Sequence, residues 1–218
     1  PFWLGMPITL VFMFVLGIAI QIVVLRPMIG EPIISVIMIT IGLSTVLQAL
    51  MKWIFGVNLQ PFPPIFHTKL VNVFGLQVQT VYILSLVVSV AMMAGMAWFF
   101  KVSRYGLAMR PTAFNPQVAP PLGISVKSVF AMAWAISAPV SAVAGIVVAV
   151  VNGVSAGLAA YGIKVFPATI LGGLDSVGGA VLGGIIIGLL ENVAHFVDSE
   201  YLHWGNLFEI APFYALVF

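Results

Sequence analysis

Apolar residues run along this chain in long blocks, broken where charge, proline and glycine gather. A helix crossing a hydrocarbon core of about 30 Å needs about 20 apolar residues, and most blocks approach or exceed that length. Pro7–Leu25 is the first predicted span and stops at Arg26-Pro27. Ile33–Phe55 is the second, opened by Glu31-Pro32, since proline in a first helical turn gives up no hydrogen bond. Val78–Phe100, Ser128–Val151, Ala156–Leu174 and Val177–His195 follow, the fifth interrupted by Lys164 and Pro167. A seventh begins near Leu207 and is cut short. The pattern predicts an all-α, polytopic helical membrane protein with six complete transmembrane helices and a truncated seventh.

Composition points the same way. Apolar residues make up 62% of the 218 and charged residues 6%, against about 45–50% and about 25% in a soluble domain. Mean hydropathy is +1.19. Fourteen charged side chains cannot solvate a 23.3 kDa globule. Disorder is excluded by the same figures, and a disulfide scaffold by the absence of cysteine. A formal charge of +2, with no basic stretch interleaved with aromatics, gives no nucleic-acid partner. Pro1 is not an initiator methionine and Ile210–Phe218 is too short to span, so we expect a fragment with both ends missing: one transmembrane domain over residues 1–218. The first span lacks the basic flank and cleavage site of a signal peptide.

Lysine and arginine in short loops mark the cytoplasmic side. The segment Lys101–Lys127 carries Lys101, Arg104, Arg110 and Lys127 and no acid, which places it inside. Alternation then puts Arg26–Pro32 inside, and Gly56–Gln77 and Phe196–Asn206 outside. Gly56–Gln77, with Pro61, Pro63 and Pro64, reads as a rigid, irregular outer loop. The inner loop is too long for a simple turn, and a connection of that length is usually functional or disordered. Its guanidinium groups at Arg104 and Arg110 suit carboxylates or helix C-termini on a cytoplasmic partner.

Glycine is densest from Leu171 to Gly184. Gly172, Gly173, Gly178 and Gly179 bracket Asp175-Ser176, where the chain reverses. Gly179/Gly183 and Gly184/Gly188 are small-residue pairs that let helices approach closely. Packing with a turn is one reading, and a mobile hinge beside a solute path is the other. In the fourth span, Ser137, Ser141, Gly145 and Ala149 share a face, either packed in the bundle or lining a polar path; Pro139 should kink this helix. Glu191, His195, Asp198, Glu200 and His203 cluster near a helix end. Solvation by headgroups accounts for most of them, so no metal or catalytic site is assigned, and Glu191, just inside the bilayer, is the candidate pathway residue. Gln21, Gln48 and Lys52 interrupt apolar helices. No strand precedes the glycines and no Gly-Lys-Ser/Thr follows them, which excludes a nucleotide site. No serine–histidine–carboxylate set is placed for nucleophilic catalysis.

Two runs then carry a family resemblance. Arg104-Tyr105-Gly106-Leu107-Ala108-Met109-Arg110, followed by Leu122-Gly123-Ile124-Ser125-Val126-Lys127, resembles the inner loop of ABC-transporter permeases for branched-chain amino acids. Ala168-Thr169-Ile170-Leu171-Gly172-Gly173-Leu174-Asp175-Ser176-Val177-Gly178-Gly179-Ala180 fits the same family in order and spacing, and Leu25-Arg26-Pro27 and Ile41-Gly42-Leu43-Ser44 fit it more weakly. The resemblance implies a non-enzymatic permease subunit in the bacterial inner membrane. A second permease, cytoplasmic P-loop ATPase subunits and an external solute-binding protein would be its partners. It would bind no cofactor itself, ATP being used by the partners. Arg104, Tyr105, Gly106, Arg110, Gly123 and Lys127 would form the ATPase-coupling loop. The family's coupling helix maps to roughly Thr112–Leu122, where Pro116, Pro120 and Pro121 allow about one turn at most. A urea or short-chain amide permease resembles these motifs equally. An ion-coupled secondary transporter would need repeats and midplane charges that are not evident, and an intramembrane enzyme would rest on the Glu191–His203 cluster alone.

Overall fold

In hydrocarbon every backbone N–H and C=O must find its partner within the protein, so an apolar block is driven to close on itself as a helix. The computed structural model describes residues 2–62, 70–73, 75–114, 125–173, 176–203, 205 and 207–216. Its helices are α1 (Phe2–Ile20), α2 (Ile33–Phe55), α3 (Thr80–Val102), α4 (Arg104–Phe114), α5 (Val126–Asn152), α6 (Ala159–Gly172), α7 (Val177–Val197) and α8 (Leu207–Tyr214). A π turn, Gln21–Leu25, and a 3-10 turn, Arg26–Met28, extend α1, and a second π turn, Asp198–Leu202, extends α7.

Two units make up the chain, Pro1–Ala156 and Gly157–Phe218. In the first, α1 packs along α5, and α4 packs on both α3 and α5. Glycine sets the α1–α5 approach. A Cβ at Gly17 would lie 2.5 Å from the Trp134 carbonyl oxygen and 2.9 Å from Ala138 Cβ. The span of α2 has no buried residue. What joins its end to α5 is an isolated antiparallel bridge in which Gln60 and Val154 exchange two backbone hydrogen bonds of 2.8 Å. In the second unit, α6 and α7 form a hairpin and α8 packs against both.

Little of this apolar chain is interior. Trp53, Val23 and Ile34 are 83%, 72% and 71% exposed, values that water would not tolerate across so much surface but lipid does.

Five helices, not six, are long and apolar enough to cross a membrane among the described residues: Leu4–Met28, Ile34–Phe55, Thr80–Val102, Val126–Asn152 and Val177–Tyr201. The expected fifth span, Ala156–Leu174, is the one that falls short. Gly153 and Gly173, with φ of +78° and +89°, lie on either side of the segment. Between them a 3-10 turn at Ala156–Leu158 leads into the 14-residue α6. That helix rises about 21 Å, or about 27 Å with its leading turn, against a core of about 30 Å. The expected seventh span begins at Leu207 as α8, which runs eight residues. Its start is held by Asp198, whose carboxylate accepts from the Gly205 and Leu207 N–H groups at 3.2 and 3.3 Å, supplying partners that a helix start lacks.

The outer loop is also more regular than proline content suggested. Leu70–Val73 (β1) pairs antiparallel with Leu76–Gln79 (β2), Val73 opposite Leu76, around Gly75 at φ +87°. Alternation of Leu76 and Val78 with Gln77 and Gln79 suits a two-sided strand, so α3 starts at Thr80 rather than Val78. In the inner loop a helix covers Arg104–Phe114, and only Thr112–Phe114 of the mapped segment Thr112–Leu122 fall among the described residues. This helix is α4, whose Leu107, Ala108, Met109 and Arg110 are strong helix formers. Pro139 stands within an uninterrupted α5.

Candidate functional site

The resemblance-bearing loop residues gather at one end of the first unit. Lys101 ends α3, Arg104 and Tyr105 open α4, and Lys127 is in the first turn of α5. All four are exposed. Arg110 lies in α4, and Gly123 is outside the described residues. The turn from α3 to α4 is tight. The Ser103 N–H donates to the Phe99 carbonyl and the Leu107 N–H to the Ser103 carbonyl, both at 2.9 Å. Gly106 is buried at this corner, where a Cβ would sit 2.5 Å from the Phe99 carbonyl oxygen and 2.9 Å from Phe100 Cα. Thr112, also buried, returns its hydroxyl to the Ala108 carbonyl at 2.8 Å. The short basic helix is thus anchored to one spanning helix and rests on another.

The glycine cluster divides into two sets. Gly172, Gly179 and Gly183 form the α6–α7 crossing: a Cβ at Gly172 would fall on the Gly179 carbonyl, one at Gly179 on the Gly172 carbonyl, and one at Gly183 on the Ala168 carbonyl. Ser176 caps α7, its hydroxyl accepting from the Gly179 N–H at 3.0 Å. Gly173 takes the left-handed φ that ends α6, and Asp175 is outside the described residues. Gly178, Gly184 and Gly188 have nothing within 4 Å of their Cβ positions.

Farther from this crossing, Lys164 of α6 and Glu191 of α7 meet, Nζ to Oε1 3.0 Å, with side chains 19% and 23% exposed. The ammonium stands 5.4 Å from the Tyr161 ring and 5.6 Å from that of Phe208, distances at which an aromatic face attracts a cation. His195 also approaches Phe208, the ring centroids 5.4 Å apart and the planes tilted by 59°. Oε1 is buried and takes no aligned hydrogen bond among the described residues. Glu191 therefore pairs with a lysine on the neighbouring helix, not with His195 one turn along. Lys164 was visible in the sequence only as a disturbance of a span. Opposite charges on two successive apolar helices were the signal that could have found it.

Ser137 and Ser141 are exposed in their unit. Gly145, in the same stripe, has open space beside it, and only Ala149 is buried. Gln21 is the opposite case. It is 1% exposed in the π turn that packs against α5, and its Nε2 has no partner among the described residues. A π turn in an α-helix often marks a functional position, and an unpaired buried amide is uncommon.

Over residues 1–217 the chain matches the family described as branched-chain amino acid transport system, permease component. It is 29% identical over 192 residues to the high-affinity branched-chain amino acid transport system permease protein LivH of Escherichia coli strain K12, covering 85% of this chain and 62% of that one. It is 31% identical over 182 residues to the corresponding protein BraD of Pseudomonas aeruginosa, covering 80% and 59%. The chain thus spans about three fifths of the length of these relatives. No solved structure matches it. With membrane-length helices in the order the motifs require and a family match along nearly its whole length, the chain belongs to the branched-chain amino acid transport permease family.

Proposed function

We propose that this chain is part of the permease subunit of an ABC importer that moves branched-chain or related amino acids across the bacterial inner membrane. A second permease completes the pathway, an external solute-binding protein delivers the solute, and cytoplasmic P-loop ATPase subunits hydrolyse the ATP. This chain itself binds no cofactor. The observation that carries the reading is α4: a short, basic, exposed helix held against α3 by the Gly106 corner and packed on α5. A partner that pushes on Arg104, Arg110 or Lys127 moves two membrane helices at once. Alternating access follows when that movement is passed to the exposed Ser137 and Ser141 stripe of α5, to Glu191, and to a hinge near Gly172, Gly173 and Asp175. Family membership supports the substrate class, since the relatives are named for branched-chain amino acids.

The test is co-purification. The full-length protein, extracted in mild detergent, is expected to bring down a P-loop ATPase, and Arg104→Glu to lower the recovered ATPase at least tenfold with membrane insertion retained. Replacing residues 105–127 by a neutral linker should abolish it. A well-folded native protein that brings no ATPase would sink the reading.

A further inference from the structure

We infer that the Lys164–Glu191 pair is a subsite for zwitterions, opened by the α-amino acid itself, whose carboxylate replaces Glu191 on Lys164 and whose ammonium replaces Lys164 on Glu191. The inference rests on the importer reading above and names what its pathway recognises.

The placement is unusual for a pair that only ties two helices. From the Gly172–Gly179 crossing, Lys164 is eight residues up α6 and Glu191 twelve up α7, about 12 and about 18 Å. The lysyl chain spans the difference. Against a core of about 30 Å these distances set the ion pair well inside the apolar layer and away from the turn. Ionisable residues at such depth are costly and generally functional.

The chemistry of exchange also fits. A partly buried pair that loses one partner leaves a charge without its counter-ion, which is unfavourable. A free amine or a free acid entering here would do that. An α-amino acid carries both charges on groups attached to one carbon, so its insertion turns one ion pair into two and leaves none unpaired. Glu191 Oε1 already stands 3.0 Å from the Lys164 ammonium, and an incoming ammonium, with three donors of its own, can take that place. Tyr161 and Phe208 already flank the ammonium of Lys164, and offer an apolar edge to the solute's side chain. Urea, which is neutral, would leave the pair closed.

The experiment uses the complete transporter, with its ATPase, partner permease and binding protein, in lipid vesicles and with radiolabelled leucine as probe. Lys164→Gln/Glu191→Gln is expected to assemble with the thermal midpoint of the native complex and to lose at least tenfold in ATP-driven uptake at saturating leucine. The exchanged pair, Lys164→Glu/Glu191→Lys, keeps a tie between the helices but reverses the polarity a chiral solute must meet. Its uptake is expected to stay at least tenfold down. Recovery of more than half the native uptake in the exchanged pair, or native uptake in the neutral pair, would overturn the subsite and leave the importer reading standing. A native complex that drives urea but not leucine would overturn the importer reading for amino acids before either variant is scored.

Discussion

Burying a carboxamide donor without a partner costs about 1–3 kcal/mol, and Gln21 does so at the π turn of the first membrane helix. Leucine there would fill similar space with no amide to desolvate. Gln21→Leu is therefore expected to stabilise the protein by about 1–3 kcal/mol, read as a higher thermal midpoint in detergent. A lower midpoint would mean that the amide is satisfied in the assembled transporter. Gain of stability with loss of uptake would mark Gln21 as a residue held for function. The sequence displayed Gln21 only as a polar break in an apolar run. The π turn leaves no trace in composition, because Ile22, Val23, Val24 and Leu25 continue the apolar block on either helical geometry. Gly17, one turn earlier, was equally silent: a single glycine among apolar residues reads as tolerated until Trp134 is found against it.

At the scale of the element, the α6–α7 hairpin divides glycines that the sequence could only group. Small-residue spacing marked both the Gly179/Gly183 and Gly184/Gly188 pairs as close-approach sites. Which neighbour each pair meets depends on how the helices turn about their axes, and that is decided by tertiary contact. Gly179 and Gly183 meet backbone carbonyls, while Gly184 and Gly188 meet open space. Gly179→Ala must push the crossing apart, so it is expected to cost about 1–3 kcal/mol, the usual penalty of overpacking. Gly184→Ala is expected to be neutral or slightly stabilising, as alanine favours helix. Thermal midpoints of the two variants side by side check this, and equal losses would refute the asymmetry. The element limits follow the same logic. Ile33–Phe55 was readable to the residue because proline and glycine mark its ends. α6 was not, since its apolar block exceeds the part that stays helical.

For the whole molecule, hydropathy carried most of the architecture: apolar blocks of spanning length, a basic inner loop, and helices whose large side chains face outward. The candidate site was less legible, because Lys164 and Glu191 are separated by a glycine turn and become neighbours only when the hairpin closes. Alternation of spans also required the far ends of α2 and α5 to share a side of the membrane, and the Gln60–Val154 bridge joins them there. That bridge gives the molecule a built-in isotope clock. Its two amide hydrogens exchange with deuterium slowly while the 2.8 Å bonds hold and quickly when they part. Since α2 has no buried residue in its span, any displacement of α5 relative to α2 falls on this bridge. In the ATP-driven importer proposed above, deuterium uptake at Gln60 and Val154 is expected to rise together, at least threefold, when ATP is added. Unchanged uptake would mean that α2 and α5 travel as one body.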